Sequence, residues 1–181
     1  MCIRDRDVGA IEREVTWKIA VNNITTEGYY GHTENLDWDR PKKLGVSLQK
    51  NKLNDNILIA AQHKKSLQWE GMPILEDWTV NLIHKIRKYS DRHIVVRYHP
   101  RCPYFIPSQR FKMLIMNKVI SNCVLETPMQ IESTYDAFNI DYNYHAVVNH
   151  CSGPGINAVI AGSNVLVDEK SLAYPMSIKL K

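Results

Sequence analysis

A glycine-rich turn follows a predicted strand late in the chain and carries the residue types of an anion site. Ser152 can cap a helix that begins there, and Pro154 suits its first turn, where a missing N–H is not needed. Gly153 and Gly155 let the backbone approach a ligand, and the N–H groups of Gly153, Gly155 and Ile156 would face it. With the positive end of the helix dipole behind them, a diphosphate suits the position. The alternative is an ordinary capped turn.

A second group of polar residues ends the predicted strand Ile94–Val96. Arg97 and Arg101 can each form bidentate contacts with phosphate oxygens, and His99 can donate to a phosphate or a ribose. Pro100 stops the strand. The alternative is a solvated basic strand end with a satisfied histidine, but the position beside the glycine-rich turn favours a shared site.

Two other patterns suggest metal chemistry and are weaker. The D-x-D triplet at residues 37–39 matches a metal-nucleotide signature known from one large class of sugar-transferring enzymes, but it lies in a polar loop and does not end an apolar strand. His99, Cys102, His150 and Cys151 have a spacing that matches no familiar zinc framework. We therefore predict no metal and no cofactor.

The elements that must position these residues alternate along the chain from Asn56 onward. Short apolar runs typical of buried strands are separated by segments with helical spacing. The predicted strands are Ile57–Ala60, Ile94–Val96, Cys123–Leu125, Ala146–Val148 and Val165–Val167. Helices are predicted around residues 76–88, 107–119 and 154–161, the last closed by Gly162. This alternation predicts an α/β fold with a Rossmann-like parallel sheet, which binds ligands at the carboxyl ends of its strands.

The composition limits the class of protein. The chain has 181 residues, of which 44% are hydrophobic and 23% charged, as in an ordinary globular domain. A net charge of +4 favours anionic ligands such as nucleotides but is too small to indicate a nucleic-acid-binding protein. The four cysteines form no C-x-x-C pair, and no apolar run is long enough to span a bilayer. We expect a cytoplasmic protein with reduced thiols.

The chain divides by texture into three parts. Residues 1–7 begin with a segment, Met1 to Arg6, that resembles the translation of a sequencing adapter, and we exclude it from the fold as an expected artefact. Residues 8–55 are polar and aromatic and predict an arm or inter-lobe segment, with one strand at residues 16–21. Residues 56–181 predict the Rossmann-like domain. No helix follows the last predicted strand, so we expect a C-terminally truncated gene fragment.

The two site segments together resemble a known family. The run Val96 to Arg101, followed about fifty residues later by Asn149 to Gly155 and then by residues 171–175, resembles GT-B glycosyltransferases of the capsule-polysaccharide and Kdo-transferase kind. It also resembles glycosyltransferases of tailed-phage genomes, from about residue 8 to the end of the chain. In the broader group an HP motif and a serine motif hold the donor nucleotide, and here they fall on His99-Pro100 and Ser152-Gly153. The resemblance adds Asn149 to the expected site, and Cys151 departs from it because such turns often carry Asn.

The resemblance implies a nucleotide-sugar-binding C-terminal lobe of a two-lobed enzyme. The reaction would transfer a sugar from a nucleotide-activated donor to an acceptor hydroxyl, on a surface polysaccharide or a hydroxymethylated DNA base. Positive charge around the departing phosphate would replace a metal ion. The N-terminal lobe is not recognisable in the sequence, so we name no catalytic base and expect nucleotide binding without sugar transfer by this chain alone. A phage-encoded enzyme would act in the host cytoplasm.

Two other functions remain open from the sequence. A UDP-sugar 2-epimerase-like enzyme shares the two-lobed architecture and would need acidic and histidine residues facing the sugar. A non-catalytic nucleotide- or nucleic-acid-binding module would instead use basic and aromatic residues as a strand-binding groove. The candidates for that groove are Arg92, Arg97, Tyr98, Arg101 and Tyr104.

Overall fold

The computed structural model describes residues 5–11, 15–31, 34, 36–49, 52–100, 105–133 and 138–178. The strands are β1 (Asp5–Val8), β2 (Trp17–Ala20), β3 (Asn54–Ala60), β4 (Ile94–Arg97), β5 (Cys123–Glu126), β6 (Met129–Gln130), β7 (Phe138–Asn139), β8 (Tyr144–Asn149) and β9 (Asn164–Val167). The α-helices are α1 (Arg40–Lys43), α2 (Leu75–Arg87), α3 (Phe105–Met116) and α4 (Gly153–Ile160). Short 3-10 helices occupy Leu67–Trp69 and Tyr174–Met176.

Five strands form the central sheet in the order β5-β4-β3-β8-β9. Each neighbouring pair is parallel. The predicted α/β fold with a Rossmann-like parallel sheet is therefore confirmed. All five predicted strands and all three predicted helices are present, and their observed ends lie within a few residues of the predicted ones.

The order of the strands creates a switch point at the centre of the sheet. From β3 the chain moves outward through α2, β4, α3 and β5, and it then returns to the opposite side of β3 as β8. Successive crossovers therefore leave β3 and β8 in opposite directions. In open α/β sheets the crevice at such a point, beyond the carboxyl ends of the strands, is where ligands bind.

The strands are buried on both faces, which explains why they read as continuous apolar runs. One face packs Ile59, Val96 and Ile94 against Ile83 of α2 and Phe111 of α3. The other face packs Leu58, Val95, Val147 and Val165 with Ala158 of α4. Each fully buried aliphatic side chain contributes on the order of 2 kcal/mol, so these two layers hold the strand ends in fixed positions.

The N-terminal part of the chain packs beside α4 and β9. Strands β1 and β2 pair as an antiparallel hairpin, which includes residues 5–7 that the sequence analysis had excluded from the fold. The Thr26 N–H donates to the Lys170 carbonyl at 3.0 Å, and the Gln49 N–H donates to the Ile160 carbonyl at 2.9 Å. The sheet itself begins at Asn54, two residues before the predicted boundary. No helix in the described part of the chain is long and apolar enough to cross a membrane.

Candidate functional site

The turn after β8 is held from behind by a buried asparagine. The side chain of Asn149 accepts the Ser152 N–H at 2.9 Å through Oδ1. Its Nδ2 donates to the Ala60 carbonyl at 2.7 Å and to Ser152 Oγ at 2.9 Å. Asn149 is only 2% exposed, and these three bonds use its donor and acceptor groups to tie β3 to the start of α4. It therefore positions the turn, whereas the sequence analysis had expected it to bind the donor.

Ser152 occupies the N-cap position of α4, as predicted, but its hydroxyl does not cap the helix. Its backbone is extended, with φ −104° and ψ 175°, and the side chain makes no capping hydrogen bond. The hydroxyl instead accepts from Asn149, as described above. Ser152 is half-buried, and it lines two cavities at the switch point.

The two glycines of the turn have different surroundings. A Cβ added at Gly153 would meet only the Ala10 Cβ, at 4.0 Å, and Gly153 lines a cavity. A Cβ added at Gly155 would lie 3.1 Å from Val167 Cγ1, and the Gly155 N–H already donates to the Ser152 carbonyl at 3.2 Å. Gly155 thus allows α4 to pack on β9, in contrast to the expected ligand contact.

Ile156, the third residue expected to offer a backbone N–H, packs its side chain against the α4 face of the sheet. Its neighbours there include the buried Val147 and Val165. The part of the turn that lines the cavities is therefore its beginning, at Ser152 and Gly153.

Arg97 has protein partners for all three of its side-chain nitrogens. Nε and Nη2 donate to the Glu126 carboxylate at 2.9 to 3.1 Å, as a bidentate pair. Nη1 donates to the Asp141 carbonyl at 2.8 Å, and Nη2 also donates to Tyr144 Oη at 3.2 Å. The Arg97 side chain is 4% exposed and that of Glu126 is 36% exposed, so the arginine is committed to a partly buried ion pair and not to the expected phosphate contact, although Arg97 still lines one cavity.

Two tyrosines enclose this ion pair. The Arg97 Cζ lies 5.5 Å from the ring centre of Tyr142 and 5.7 Å from that of Tyr144. These are cation–π distances. Burial raises the pKa of the Tyr144 phenol, and the nearby Arg97 guanidinium opposes part of that shift. The end of β4 is thus a neutralised, aromatic cluster.

His99 and Pro100 follow β4 and face the glycine-rich turn. His99 and Ser152 line the same two cavities, and Pro100 lines the first of them. The His99 ring stands edge to face with the His63 ring, with 5.0 Å between their centres. Arg101, which the sequence analysis placed in the same site, lies outside the described residues.

The two cavities share His99 and Ser152 in their walls. The first has a volume of about 100 Å³. Its walls are mainly apolar and include Ala60, Ala61, Phe138, Ile140, Tyr142 and Pro154. The second has a volume of about 340 Å³. Its walls carry the polar side chains of Gln62, His63, Lys65, Ser66 and Gln68 together with the apolar Ile24 and Leu67.

The structure adds two residues that the sequence analysis did not assign to the site. Lys18, from β2, lines the first cavity together with Ser152 and Gly153. Gln62 lies two residues beyond the end of β3 and is 2% exposed. Its Oε1 accepts the Cys151 N–H at 3.2 Å, and its Nε2 donates to Ser66 Oγ at 2.6 Å. A search at the carboxyl end of β3 would have found Gln62, but no local signal points to Lys18, which belongs to a distant hairpin.

Cys151 is buried beneath the turn beside Gln62. Its Sγ lies 3.6 Å from Gln62 Oε1. Burial raises the pKa of the Cys151 thiol to about 11, with the Gln62 hydrogen bond opposing part of the shift. Cys151 is therefore a neutral thiol at physiological pH and supports the turn through its backbone N–H.

The residues weighed as a zinc site are directed elsewhere. His150 Nε2 lies 3.2 Å from the Gln68 carbonyl, and the His150 ring packs edge to face on Trp69. Cys102 lies outside the described residues. Within the part of the chain that the structure describes, no group of three or more His, Cys, Asp or Glu side chains is arranged to hold a metal ion.

The result is a concave crevice at the switch point, with His99 and Ser152 in the walls of both cavities and Lys18 and Gly153 in the wall of the first. Such an arrangement can bind an anion, because the Gly153 N–H, the helix dipole and the Lys18 ammonium all present positive potential. In comparisons of the sequence, no protein-family model and no curated protein matches this chain.

Proposed function

We propose that this chain is the donor-binding lobe of a glycosyltransferase that moves a sugar from a nucleotide-activated donor to an acceptor hydroxyl. The proposal rests on the resemblance of the HP and serine motifs and on one structural observation. His99 and Ser152, which the sequence separates by more than fifty residues, line the same pair of cavities at the switch point of a parallel sheet.

The chemistry of the site suits a nucleoside diphosphate as leaving group. Transfer of the sugar leaves negative charge on the departing phosphate, and fixed positive groups stabilise that charge. In the proposal these groups are the N-terminus of α4 at Gly153 and the ammonium of Lys18, and the imidazole of His99 donates a hydrogen bond to the phosphate. They act where a divalent metal acts in other glycosyltransferases. We assign no catalytic base.

Arg97 supports this arrangement indirectly. Its ion pair with Glu126 and its hydrogen bond to the Asp141 carbonyl connect β4, β5 and the segment before β8. His99 lies two residues beyond Arg97, so the same network also fixes the position of the His99 backbone beside the crevice. In the proposal Arg97 is therefore a positioning residue, and Lys18 is the cation that meets the phosphate.

Calorimetric titration with UDP, CDP and CMP tests the proposal. The diphosphates should bind more tightly than CMP, because the positive groups address the phosphates. Lys18→Ala should weaken UDP binding by about tenfold or more, the effect of losing a hydrogen bond to a charged group. Lys85→Ala, which removes an exposed lysine of α2, is the matched control and should bind as the wild type does.

The same titrations separate the competing functions. Nucleotide binding that is indifferent to Lys18→Ala and to Gly153→Ala would place the site elsewhere. Steeply salt-dependent binding of oligonucleotides, without binding of UDP or CDP, would favour the nucleic-acid-binding module. Isomerisation or hydrolysis of a UDP-sugar without an acceptor would favour the epimerase-like enzyme.

A further inference from the structure

The crevice has two halves that share His99 and Ser152 and differ in their other side chains. The first cavity carries the aromatic rings of Phe138 and Tyr142 beside the small Ala60 and Ala61, and it also includes Lys18 and Arg97. The second is lined by amide, hydroxyl, imidazole and ammonium side chains of residues 62–68 together with the apolar Ile24 and Leu67. A ligand that spans both halves can therefore place a flat ring against the aromatic side chains at one end and hydroxyl groups against the polar side chains at the other.

The first half suits an aromatic base. Ala60 ends β3 and Ala61 follows it, and both line the cavity with small side chains that leave space beside the rings. Phe138 and Tyr142 come from the segment that joins β5 to β8 and supply two rings to the wall. Aromatic side chains can stack on any nucleobase, because every base has a π face.

The second half suits a sugar. Gln62, Ser66 and Gln68 form a hydrogen-bonded series, with Gln62 Nε2 at 2.6 Å from Ser66 Oγ and 3.4 Å from Gln68 Oε1. His63 and Lys65 lie on the same loop and line the same cavity. A polyhydroxyl ligand needs such partners, because a hydroxyl that leaves water without a new hydrogen bond loses binding energy.

We propose that the donor lies across the crevice with its nucleobase in the aromatic half and its sugar in the polar half. The diphosphate is the middle of a nucleotide sugar, and His99 and Ser152 are shared by both halves, so the two assignments agree at the centre. This inference rests on the proposed function. It makes Phe138 and Tyr142 base-binding residues and assigns residues 62–68 to recognition of the sugar.

The base assignment is tested by comparing nucleotides with pyrophosphate, which has no base. At least one of UDP, CDP, ADP and GDP should bind about tenfold or more tightly than pyrophosphate. Tyr142→Leu should remove most of that advantage and leave pyrophosphate binding unchanged, whereas Tyr142→Phe should keep it. Tyr89→Leu, at a tyrosine of 79% exposure, is the matched control, and Phe138→Leu is a second variant that leaves the Arg97 contact intact.

The sugar assignment is tested on the same protein with UDP-glucose, UDP-galactose and UDP-N-acetylglucosamine, or the same sugars on the preferred base. At least one sugar nucleotide should differ from its parent diphosphate in affinity, and His63→Ala should abolish that difference while the diphosphate still binds. Equal loss of the diphosphate and the sugar nucleotide in His63→Ala would overturn the assignment.

The outcomes distinguish this inference from the proposed function. Pyrophosphate and nucleotides of equal affinity would overturn the two-part crevice and leave the phosphate site standing. A Tyr142→Leu variant that loses pyrophosphate and nucleotide equally, while melting as the wild type does, would also overturn it. Absence of binding by pyrophosphate and all four nucleotides would overturn both.

Discussion

The carboxyl ends of β4 and β8 carry the two groups of residues that the sequence marked for phosphate binding, and the fold treats them differently. At the end of β4, Arg97 is buried and paired with Glu126. At the end of β8, Asn149 is buried instead, and the chain beyond it opens into the crevice at Ser152 and Gly153. The end of β4 is therefore a structural cluster of side chains, whereas the backbone beyond β8 is exposed in the crevice.

The register of the sheet explains the difference. Glu126, Arg97, Ala60 and Asn149 stand opposite one another in a single row across β5, β4, β3 and β8. Strand β4 is flanked on one side by Glu126, so the arginine has a carboxylate as a direct neighbour. Strand β8 meets β3 at the switch point, where the neighbour is Ala60 and the space above it is open. A cation at a strand end is therefore a ligand site only if its cross-strand neighbours leave it uncompensated.

The largest expected effect is on the β4 side. Arg97→Ala should lower the free energy of unfolding by about 2 to 3 kcal/mol, because it removes the charge-assisted hydrogen bonds to Glu126, whose partly exposed carboxylate is rehydrated in the variant. Arg92→Ala, which breaks the exposed pair with Asp55, should cost less than about 1 kcal/mol. Urea unfolding measures both. A stable Arg97→Ala protein with impaired nucleotide binding would instead make Arg97 a ligand residue and end the contrast between the strands.

The next effect concerns the buried thiol beneath the β8 turn. The pKa of Cys151 is raised from 9.0 to about 11 in the folded protein, so the folded state keeps a proton that the unfolded chain loses in this range. The corresponding stability is fully present below pH 9 and is lost as the pH rises through 11. We expect the free energy of unfolding to fall by about 2 kcal/mol over this interval from this group. Cys151→Ala should show a correspondingly shallower decline, and an unchanged slope would contradict the assignment.

The third effect concerns Asn149, whose side chain supports the β8 turn. Asn149→Ala removes three hydrogen bonds inside the protein and should cost about 2 kcal/mol in unfolding free energy. Asn164→Ala removes one exposed hydrogen bond to the His145 carbonyl and should cost less than about 1 kcal/mol. Asn149→Ala should also weaken UDP binding, because Ser152 and Gly153 lose their anchor. Intact binding in a destabilised Asn149→Ala protein would show that the turn holds its shape without Asn149.

The smallest effect separates the two glycines. The free energy of unfolding of Gly155→Ala should be lower than that of Gly153→Ala by about 1 kcal/mol. Only the Gly155→Ala methyl group would press against Val167 and Ala173. For UDP affinity the order should reverse, because only the Gly153 methyl group enters the crevice. Thermal unfolding and calorimetry of the two variants check both orders. Equal effects on stability and on affinity would show that the turn is uniform.

The sheet, the helices and the position of the turn followed from the sequence alone. Continuous apolar runs such as Ile57–Ala60 predict strands buried on both faces, and the spacing of Trp78, Leu82 and Ile86 predicts a helix between them. Local punctuation also placed Ser152 at the start of α4 and Gly162, with φ +82°, at its end. These features depend on residues that are close in sequence, which is why pattern and turn chemistry were sufficient.

The partners of the polar side chains were decided only by the tertiary structure. The sequence around Arg97 does not predict its contact with Glu126, which depends on the pairing of β4 with β5. The sequence around Ser152 likewise does not predict that Lys18 lines the same cavity, because Lys18 belongs to a hairpin more than a hundred residues earlier. A sequence pattern shows which groups can bind a phosphate. Whether they are available depends on the charges that folding brings beside them, because a buried cation takes the nearest anion as its partner.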